Sequence, residues 1–326
     1  MVKVMKISLS EINEPEELMM RDAYCSTLID LAGSDRRIVA LDADLMKALG
    51  MSAFRDAYPD RTFNCGVQEA NMIGVAAGLS ATGKVPFVHS FATFATRRCF
   101  DQIFLSAAYA GLNIRITGSD PGIAAAYNGG THMAFEDVAI MRSVPDMTII
   151  EPADSVVLTD LIRQLNDPYG VFYMRLYRRN AVKIYREGST FTIGKAITLR
   201  EGGDLTIIAA GLMVAEALKA SEILAARGID SRVIDMYTIK PADSETIIRC
   251  AEETGAIITA ENHNIIGGLG SAVAEVIAEN HPVPMARIGR RDQFGEVGSL
   301  EYLREKFEMG AGHIAEMAEQ LLSHKN

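Results

Sequence analysis

Short apolar runs alternate with longer amphipathic or small-residue stretches along the first half of the chain. The runs have the length and composition of buried parallel strands, and the stretches between them are typical of helices. We expect strands at residues 37–42, 62–66, 86–90, 113–118, 147–151 and 170–175. We expect helices at residues 17–32, 69–82, 93–110, 134–143 and 154–164. This order predicts a parallel sheet with crossover helices.

The second half repeats the alternation after a polar segment at residues 185–189, which predicts a linker. Strands are expected at residues 205–210, 231–236, 256–261 and 285–288, and helices at 214–227, 244–254, 271–280, 300–307 and 311–322. A length of 326 residues suits two domains at roughly 150 residues each. The fold class is therefore α/β, with two consecutive domains at residues 1–185 and 190–326. The first has a parallel sheet and the second a mostly parallel sheet.

Charge and composition exclude several classes of function. The net charge is -10 and no dense run of lysine and arginine occurs, which argues against a nucleic-acid partner. The chain start lacks the apolar stretch of a signal peptide, and no apolar run reaches membrane-spanning length, so a cytoplasmic location without membrane contact is expected. The cysteines lack the spacing of zinc ligands and are expected to be free thiols: Cys25, Cys65, Cys99 and Cys250.

Candidate chemistry lies where predicted strands end and helices begin, which is where open α/β sheets bind ligands. Glu69 follows the turn Asn64-Cys65-Gly66 and opens a helix of small apolar residues. Phe91 and Phe94 follow the next strand, and His132 closes a Gly-Gly-Thr-His segment. The chain thus offers a carboxylate, an aromatic surface and an imidazole.

Together these motifs resemble the C-terminal half of transketolase, a thiamine diphosphate enzyme, as found when that enzyme is split into two subunits. The resemblance covers nearly the whole chain. Its motifs are the glutamate segment 64–72, the pyrimidine-binding segment 90–103, the substrate-facing loop 118–142 and the C-terminal-domain segment 261–270. It implies a pyrimidine-binding domain followed by a transketolase C-terminal domain.

The resemblance also implies roles for individual residues. Glu69 matches the acid that bonds to N1' of the aminopyrimidine ring and activates the cofactor, although a carboxylate here could also serve the helix dipole. Phe94 and Phe91 match the aromatic bed under that ring, and Phe91 is equally consistent with a core role. His132 matches an imidazole on the carbonyl side of the donor sugar. Asp44 matches an acidic position near the cofactor, or else is a turn carboxylate.

The substrate end departs from the family pattern. Asn128 replaces an acidic residue and Asp120 replaces a histidine. Ala48 replaces a small hydroxyl residue, and Arg97 stands where the family has a tyrosine in its aromatic series near the cofactor. Arg21 and Arg178 match arginines that contact substrate phosphate, a role that suits the planar guanidinium; on this acidic protein they are equally consistent with ordinary surface or interface partners. Ketol transfer is therefore expected with a donor other than the usual pentose phosphates, such as a less common ketose or ketose phosphate.

One half of the cofactor site is missing from the chain. No Gly-Asp-Gly followed by a distant asparagine, the pattern that holds magnesium and diphosphate, occurs in the sequence. The resemblance therefore implies a partner subunit that carries the diphosphate-binding domain and holds most of the Mg²⁺ or Ca²⁺ coordination, in an α2β2 assembly with two-fold symmetry.

Two other functions are compatible with these residues. The β subunit of a 2-oxo acid dehydrogenase has a similar length, architecture and glutamate, but a different loop from the Gly-Gly-Thr-His segment. A non-catalytic regulatory subunit would explain Asn128, Asp120 and Arg97. The glycine-rich segment 267–270 follows a strand, but it lacks the spacing of a dinucleotide-binding loop and is expected to pack a helix closely.

Overall fold

The structure, a computed structural model, describes residues 5–11 and 14–323. The first four residues of the chain therefore lie outside the described residues, as do the last three. In chain order the strands are β1 Ile38–Asp42, β2 Thr62–Asn64, β3 Val85–Phe91, β4 Ile114–Ser119, β5 Thr148–Ile150, β6 Val171–Leu176, β7 Ile197–Arg200, β8 Leu205–Ala209, β9 Ser231–Asp235, β10 Thr238–Lys240, β11 Ile257–Asn264 and β12 Met285–Arg290.

The helices cover the faces of the sheets. The α-helices are α1 Met20–Ser34, α2 Ser52–Ala57, α3 Glu69–Ala81, α4 Ala92–Ala95, α5 Asp137–Arg142, α6 Ser155–Gln164, α7 Met213–Ala226, α8 Ser244–Thr254, α9 Leu269–Asn280, α10 Leu300–Lys306 and α11 Ala311–Ser323. Short 3₁₀ segments are Pro59–Arg61, Arg97–Cys99, Gly122–Asn128 and Gly130–His132, and a π-helix spans Gln102–Tyr109. No helix in the described ranges is long and apolar enough to span a membrane.

The described residues form two sheets, which confirms the predicted α/β class. The first has the order β10-β5-β6-β4-β3-β1-β2 and is parallel except for β10. The second has the order β12-β11-β8-β9-β7 and is parallel except for β7. Strands β1, β3, β4 and β6 are buried along their whole length, as expected for parallel strands covered on both faces.

Strand β10 connects the two halves of the molecule. It belongs to the second half of the chain, yet it pairs antiparallel with β5 of the first sheet, with Thr238 opposite Ile150. The sequence pattern gave no sign of this pairing, because three residues are too few to show a period. The boundary between residues 185 and 190 stays a prediction.

The expected helix at residues 93–110 is broken. The α-helical path ends at Ala95, Thr96 has φ -122° and ψ -81°, and the chain continues through a 3₁₀ turn into the π-helix. The Thr96 hydroxyl donates to the Ala92 carbonyl at 2.6 Å, a bond that bends helices. The break turns residues 97 and 98 away from a regular helical path.

Candidate active site

The turn before α3 places Glu69 at the carboxyl edge of the first sheet. Gly66 adopts a φ of +69°, a conformation that suits glycine, and its N–H donates to the Asn64 side chain at 2.9 Å. The Glu69 side chain is 2% exposed. Arg98 Nη1 donates to both carboxylate oxygens at 2.9 Å, and the Ser90 hydroxyl lies 3.5 Å from Oε1.

The predicted aromatic bed and the imidazole lie together. The ring of Phe91, at the end of β3, lies 6.2 Å from that of Phe94. The His132 ring lies 5.5 Å from Phe91 and 5.1 Å from Phe94, edge-on to each. His132 is half-buried, and its Nδ1 is 2.9 Å from the Thr131 hydroxyl. The three side chains therefore form one partly open aromatic cluster.

Arg98 joins the carboxylate to this cluster. Its guanidinium carbon lies 3.9 Å from the centroid of the Phe94 ring while its nitrogen bonds to Glu69. A flat, nitrogen-bearing group thus already uses the aromatic face and the acceptor that an aminopyrimidine ring needs. The residues present therefore fit the pyrimidine half of thiamine diphosphate.

Sequence analysis missed Arg98. It lies in the charged pair Arg97-Arg98, which looks like an exposed surface segment. A usable signal was its spacing of four residues from Phe94, since such pairs meet on a helix.

A second group of predicted residues lies beside the aromatic cluster. Arg21 Nη1 and Arg178 Nη1 both donate to the carbonyl oxygen of Ala48, at 3.0 and 3.4 Å. The Arg178 guanidinium lies 5.2 Å from the centroid of Phe91 and is paired through Nε with the buried carboxylate of Asp120. Burial raises the pKa of Asp120 to about 6, although the neighbouring arginines oppose that rise. Two cations and a buried anion therefore flank the aromatic cluster.

Three predicted residues lie outside these contacts. Asp44 is exposed, and its side chain accepts from the Asn64 amide at 3.2 Å. Arg97 is exposed and pairs with Glu136 at 2.7 Å. Asn128 is exposed at the end of a 3₁₀ segment. All three side chains are therefore open to solvent in the chain alone.

The carboxylate of Asp137, the first residue of α5, lies in a separate group of buried contacts. Asp137 is fully buried, accepts from Arg175 Nε at 2.8 Å and from the Tyr173 hydroxyl at 2.6 Å, and faces His263 at 3.8 Å. Arg175 also pairs with Glu151 at 2.8 Å and donates to the Asn262 carbonyl at 2.9 Å. Arg175 therefore joins the two halves of the molecule.

The His263 imidazole belongs to this contact between the halves. Burial lowers its pKa to about 4, so the ring is neutral. Its Nδ1 donates to the Asn264 carbonyl at 2.7 Å and its Nε2 accepts from the Ala139 N–H at 3.4 Å. Within residues 5–11 and 14–323, no group of three or more His, Cys, Asp or Glu side chains is placed to hold a metal ion.

Family comparisons agree with the geometry. Residues 16–183 match the family described as the transketolase pyrimidine-binding domain, and residues 194–314 match the transketolase C-terminal domain. These two matches together cover most of the chain, and they confirm the domain types that the motifs predicted.

Individual relatives are similar over almost their full length. The 6-deoxy-6-sulfo-D-fructose transketolase subunit SqwH of Clostridium sp. (strain MSTE9) is 55% identical over 311 residues, covering 95% of this chain and 97% of the relative. A subunit of the apulose-4-phosphate transketolase of Phocaeicola vulgatus is 39% identical, covering 84% of this chain and 88% of the relative.

A solved structure has the same fold. A split-gene transketolase, described as an inactive beta4 tetramer, superposes with a TM-score of 0.89 at 40% identity, covering 95% of this chain and all of that one. The match and the two sequence relatives confirm the predicted split-transketolase resemblance and imply a partner subunit. This chain therefore belongs to the transketolase family, as the subunit of a split, thiamine diphosphate-dependent enzyme that carries the pyrimidine-binding and C-terminal domains.

Proposed function

We propose that this subunit, with its partner, transfers the two-carbon ketol unit of 6-deoxy-6-sulfo-D-fructose to an aldose or aldose phosphate. The similarity to SqwH carries the proposal, because it extends over 97% of that relative at 55% identity. Removing C1 and C2 from this ketose leaves a four-carbon aldose that bears the sulfonate on C4. The donor is thus a less common ketose, in keeping with the departures from the family pattern at Asp120, Asn128 and Ala48.

Glu69 is the proposed catalytic acid. When bound, thiamine diphosphate supplies the carbon nucleophile and the electron sink of ketol transfer. The buried Glu69 carboxyl would hold a proton toward N1' of the pyrimidine ring, and Phe94 and Phe91 would bury the ring faces. Arg98 occupies both contacts in the chain alone and would yield them to the ring.

His132 and the two arginines are the proposed substrate contacts. His132 lies against both phenylalanine rings, so its imidazole can donate to an oxygen of a sugar bound over them. Arg21 and Arg178 lie beyond Phe91 and would bind the distal anion of the donor. Arg97, Asp44 and Asn128 would complete the rim.

The partner would bring the rest of the cofactor site. Apolar side chains are exposed around the candidate site, with Tyr127 68%, Val67 66%, Val297 64% and Phe294 96% exposed, which is typical of a protein interface. We infer an α2β2 complex in which the partner holds the diphosphate and the Mg²⁺ or Ca²⁺ ion. The related structure described as an inactive beta4 tetramer suggests that the chain alone would self-associate without activity.

A substrate panel tests the donor. The assembled pair is supplied with 6-deoxy-6-sulfofructose, fructose 6-phosphate, xylulose 5-phosphate or apulose 4-phosphate, together with short aldose phosphates as acceptors. Mass spectrometry should detect the four-carbon sulfonated aldose from the first donor, with the highest kcat/KM. A higher kcat/KM for any phosphorylated donor would reject the proposed substrate.

The two alternatives predict other products. A 2-oxo acid dehydrogenase subunit would support oxo-acid decarboxylation with lipoyl groups, and a regulatory subunit would bind thiamine diphosphate in the pair without turnover. The similar proteins are transketolase subunits, which favours ketol transfer over both.

A further inference from the structure

Arg21 and Arg178 form a compact cationic pair. Both guanidinium groups bond to one carbonyl oxygen, that of Ala48, so they approach each other closely. The Arg178 side chain is 16% exposed and lies over Phe91, whereas the Arg21 side chain is 29% exposed. Each therefore keeps a limited surface that a small anion can reach.

Asp120 is a fixed negative charge behind this pair. It is fully buried, and its carboxylate pairs with Arg178 Nε and lies 3.4 Å from the Arg178 backbone N–H. Its backbone is held on both sides: its N–H donates to the Leu176 carbonyl at 2.9 Å, and Asn262 donates to the next carbonyl, that of Pro121, at 2.8 Å. The carboxylate is therefore tied to Arg178 and has no path to solvent.

The local charges favour a ligand with one negative charge. Arg21, Arg178 and the buried Asp120 together carry a single net positive charge. Two further charged groups, Arg179 near Asp120 and Asp22 at 3.6 Å from Arg21, have opposite signs and are exposed or half-exposed, so solvent screens both. A sulfonate carries one negative charge at neutral pH, whereas a phosphate monoester carries about 1.5 to 2. The extra phosphate charge would face the Asp120 carboxylate across Arg178, where the further cation, Arg179, is exposed and screened by solvent.

We propose that Asp120 makes this anion site selective for a sulfonate over a phosphate, which rests on the proposed function. Asp120 does not need to touch the sugar. It offsets part of the positive charge of Arg178, which contacts the anion of the sugar. Asp120 thereby determines which anion Arg178 binds well.

Asp120→Asn in the assembled pair tests the proposal. The kcat/KM for the sulfonated donor, 6-deoxy-6-sulfofructose, is measured against that for fructose 6-phosphate with the same acceptor. We expect the sulfonate-to-phosphate ratio to fall at least about tenfold, mainly through KM, because the site gains a positive charge. Asp22→Asn, which removes the exposed carboxylate beside Arg21, should change the ratio less than about twofold.

A second measurement avoids any folding defect of the variant. In the wild-type pair with erythrulose as a neutral donor, ethanesulfonate should inhibit more strongly than ethyl phosphate. An unchanged ratio in Asp120→Asn, an equal loss with both donors, or stronger inhibition by ethyl phosphate would overturn the role of Asp120. If the wild-type pair fails to use the sulfonated donor at all, the proposed function fails instead.

Discussion

At the scale of single residues, the guanidinium of Arg98 contacts both the carboxylate and an aromatic ring of the candidate site. Glu69 is almost fully buried, and Arg98 supplies the bonds to both of its oxygens while packing on Phe94. A buried carboxylate without a partner is costly, so this arginine stabilises the buried Glu69 side chain. Binding of an aminopyrimidine ring to Glu69 and Phe94, as proposed above, would require the Arg98 side chain to move.

Arg98→Ala is expected to destabilise the chain. Because Glu69 would lose its charged partner, the free energy of unfolding should fall by about 1 to 2 kcal/mol, a range reduced because Arg98 is 45% exposed. Arg97→Ala is the matched control, since it breaks the exposed pair with Glu136 and should cost less than about 1 kcal/mol. Urea unfolding measures the loss of unfolding free energy in each variant, and equal losses would contradict the stabilising role of Arg98.

At the scale of elements, the start of α9 explains the glycine-rich segment. The buried Glu261 carboxylate accepts from the Leu269 and Gly270 N–H groups at 2.7 and 2.9 Å and so caps the helix. A Cβ at Gly268 would lie 1.9 Å from Glu261 Oε2 and 2.7 Å from His263 Nδ1. The glycine is needed for this close approach, as the predicted tight helix packing requires.

Gly268→Ala should therefore lower the free energy of unfolding by about 2 kcal/mol or more, because the cap and His263 have to move. Gly312→Ala, within α11, is the matched control. A Cβ there meets nothing within 4 Å, so alanine should be neutral or stabilise by up to about 1 kcal/mol. Thermal melts compare the two variants. A melting temperature of Gly268→Ala at or above that of the wild type would contradict the close packing of Gly268 against the Glu261 cap.

Elements with a strong pattern could be predicted from sequence, and those set by distant contacts could not. Strand β8 is a buried apolar run and α8 keeps its predicted bounds, residues 244–254. Strand β10 depends on its partner β5, which is distant in the chain, and the bend at Thr96 accompanies a bond from its hydroxyl to the Ala92 carbonyl, which the apolar pattern does not show. The same holds for the site. The Glu69 and His132 motifs could be predicted from the sequence, whereas the Asp120–Arg178 contact could not, because it joins residues 58 positions apart.

At the scale of the whole molecule, buried polar groups tie the halves together. Asn262, in β11, donates to Pro121 and accepts from the Ile123 N–H at 2.9 Å, so the second half holds the loop that follows Asp120. The linker is held as well, because the Tyr185 hydroxyl donates to Asp235 at 2.6 Å. Burial raises the pKa of Asp235 to about 8.

This carboxyl should make stability depend on pH. An unfolded aspartate releases its proton near pH 4, whereas folded Asp235 keeps it up to about pH 8, so the folded state binds more protons between those values. The stabilisation that Asp235 gives through its bound proton is complete below pH 4 and is lost as pH rises through about 8. Asp235→Asn should make the fall in unfolding free energy between pH 6 and pH 8 shallower, by about 1 kcal/mol or more.

Urea unfolding at pH 6, 7 and 8 checks this expectation. Asp56→Asn changes an exposed aspartate and should leave the pH dependence as it is in the wild type. If the unfolding free energy of Asp235→Asn falls with pH as steeply as that of the wild type, Asp235 is already ionised in the folded chain between pH 6 and pH 8.

In the proposed enzyme, Glu69 of this chain acts on a cofactor whose diphosphate is held by another chain. The most direct measurement is ketol transfer by this chain alone, by its partner alone, by the pair, and by the pair with Glu69→Ala. We predict turnover only in the wild-type pair and at least about a hundredfold loss with Glu69→Ala. Turnover by this chain alone, or near-wild-type turnover with Glu69→Ala, would contradict the claim.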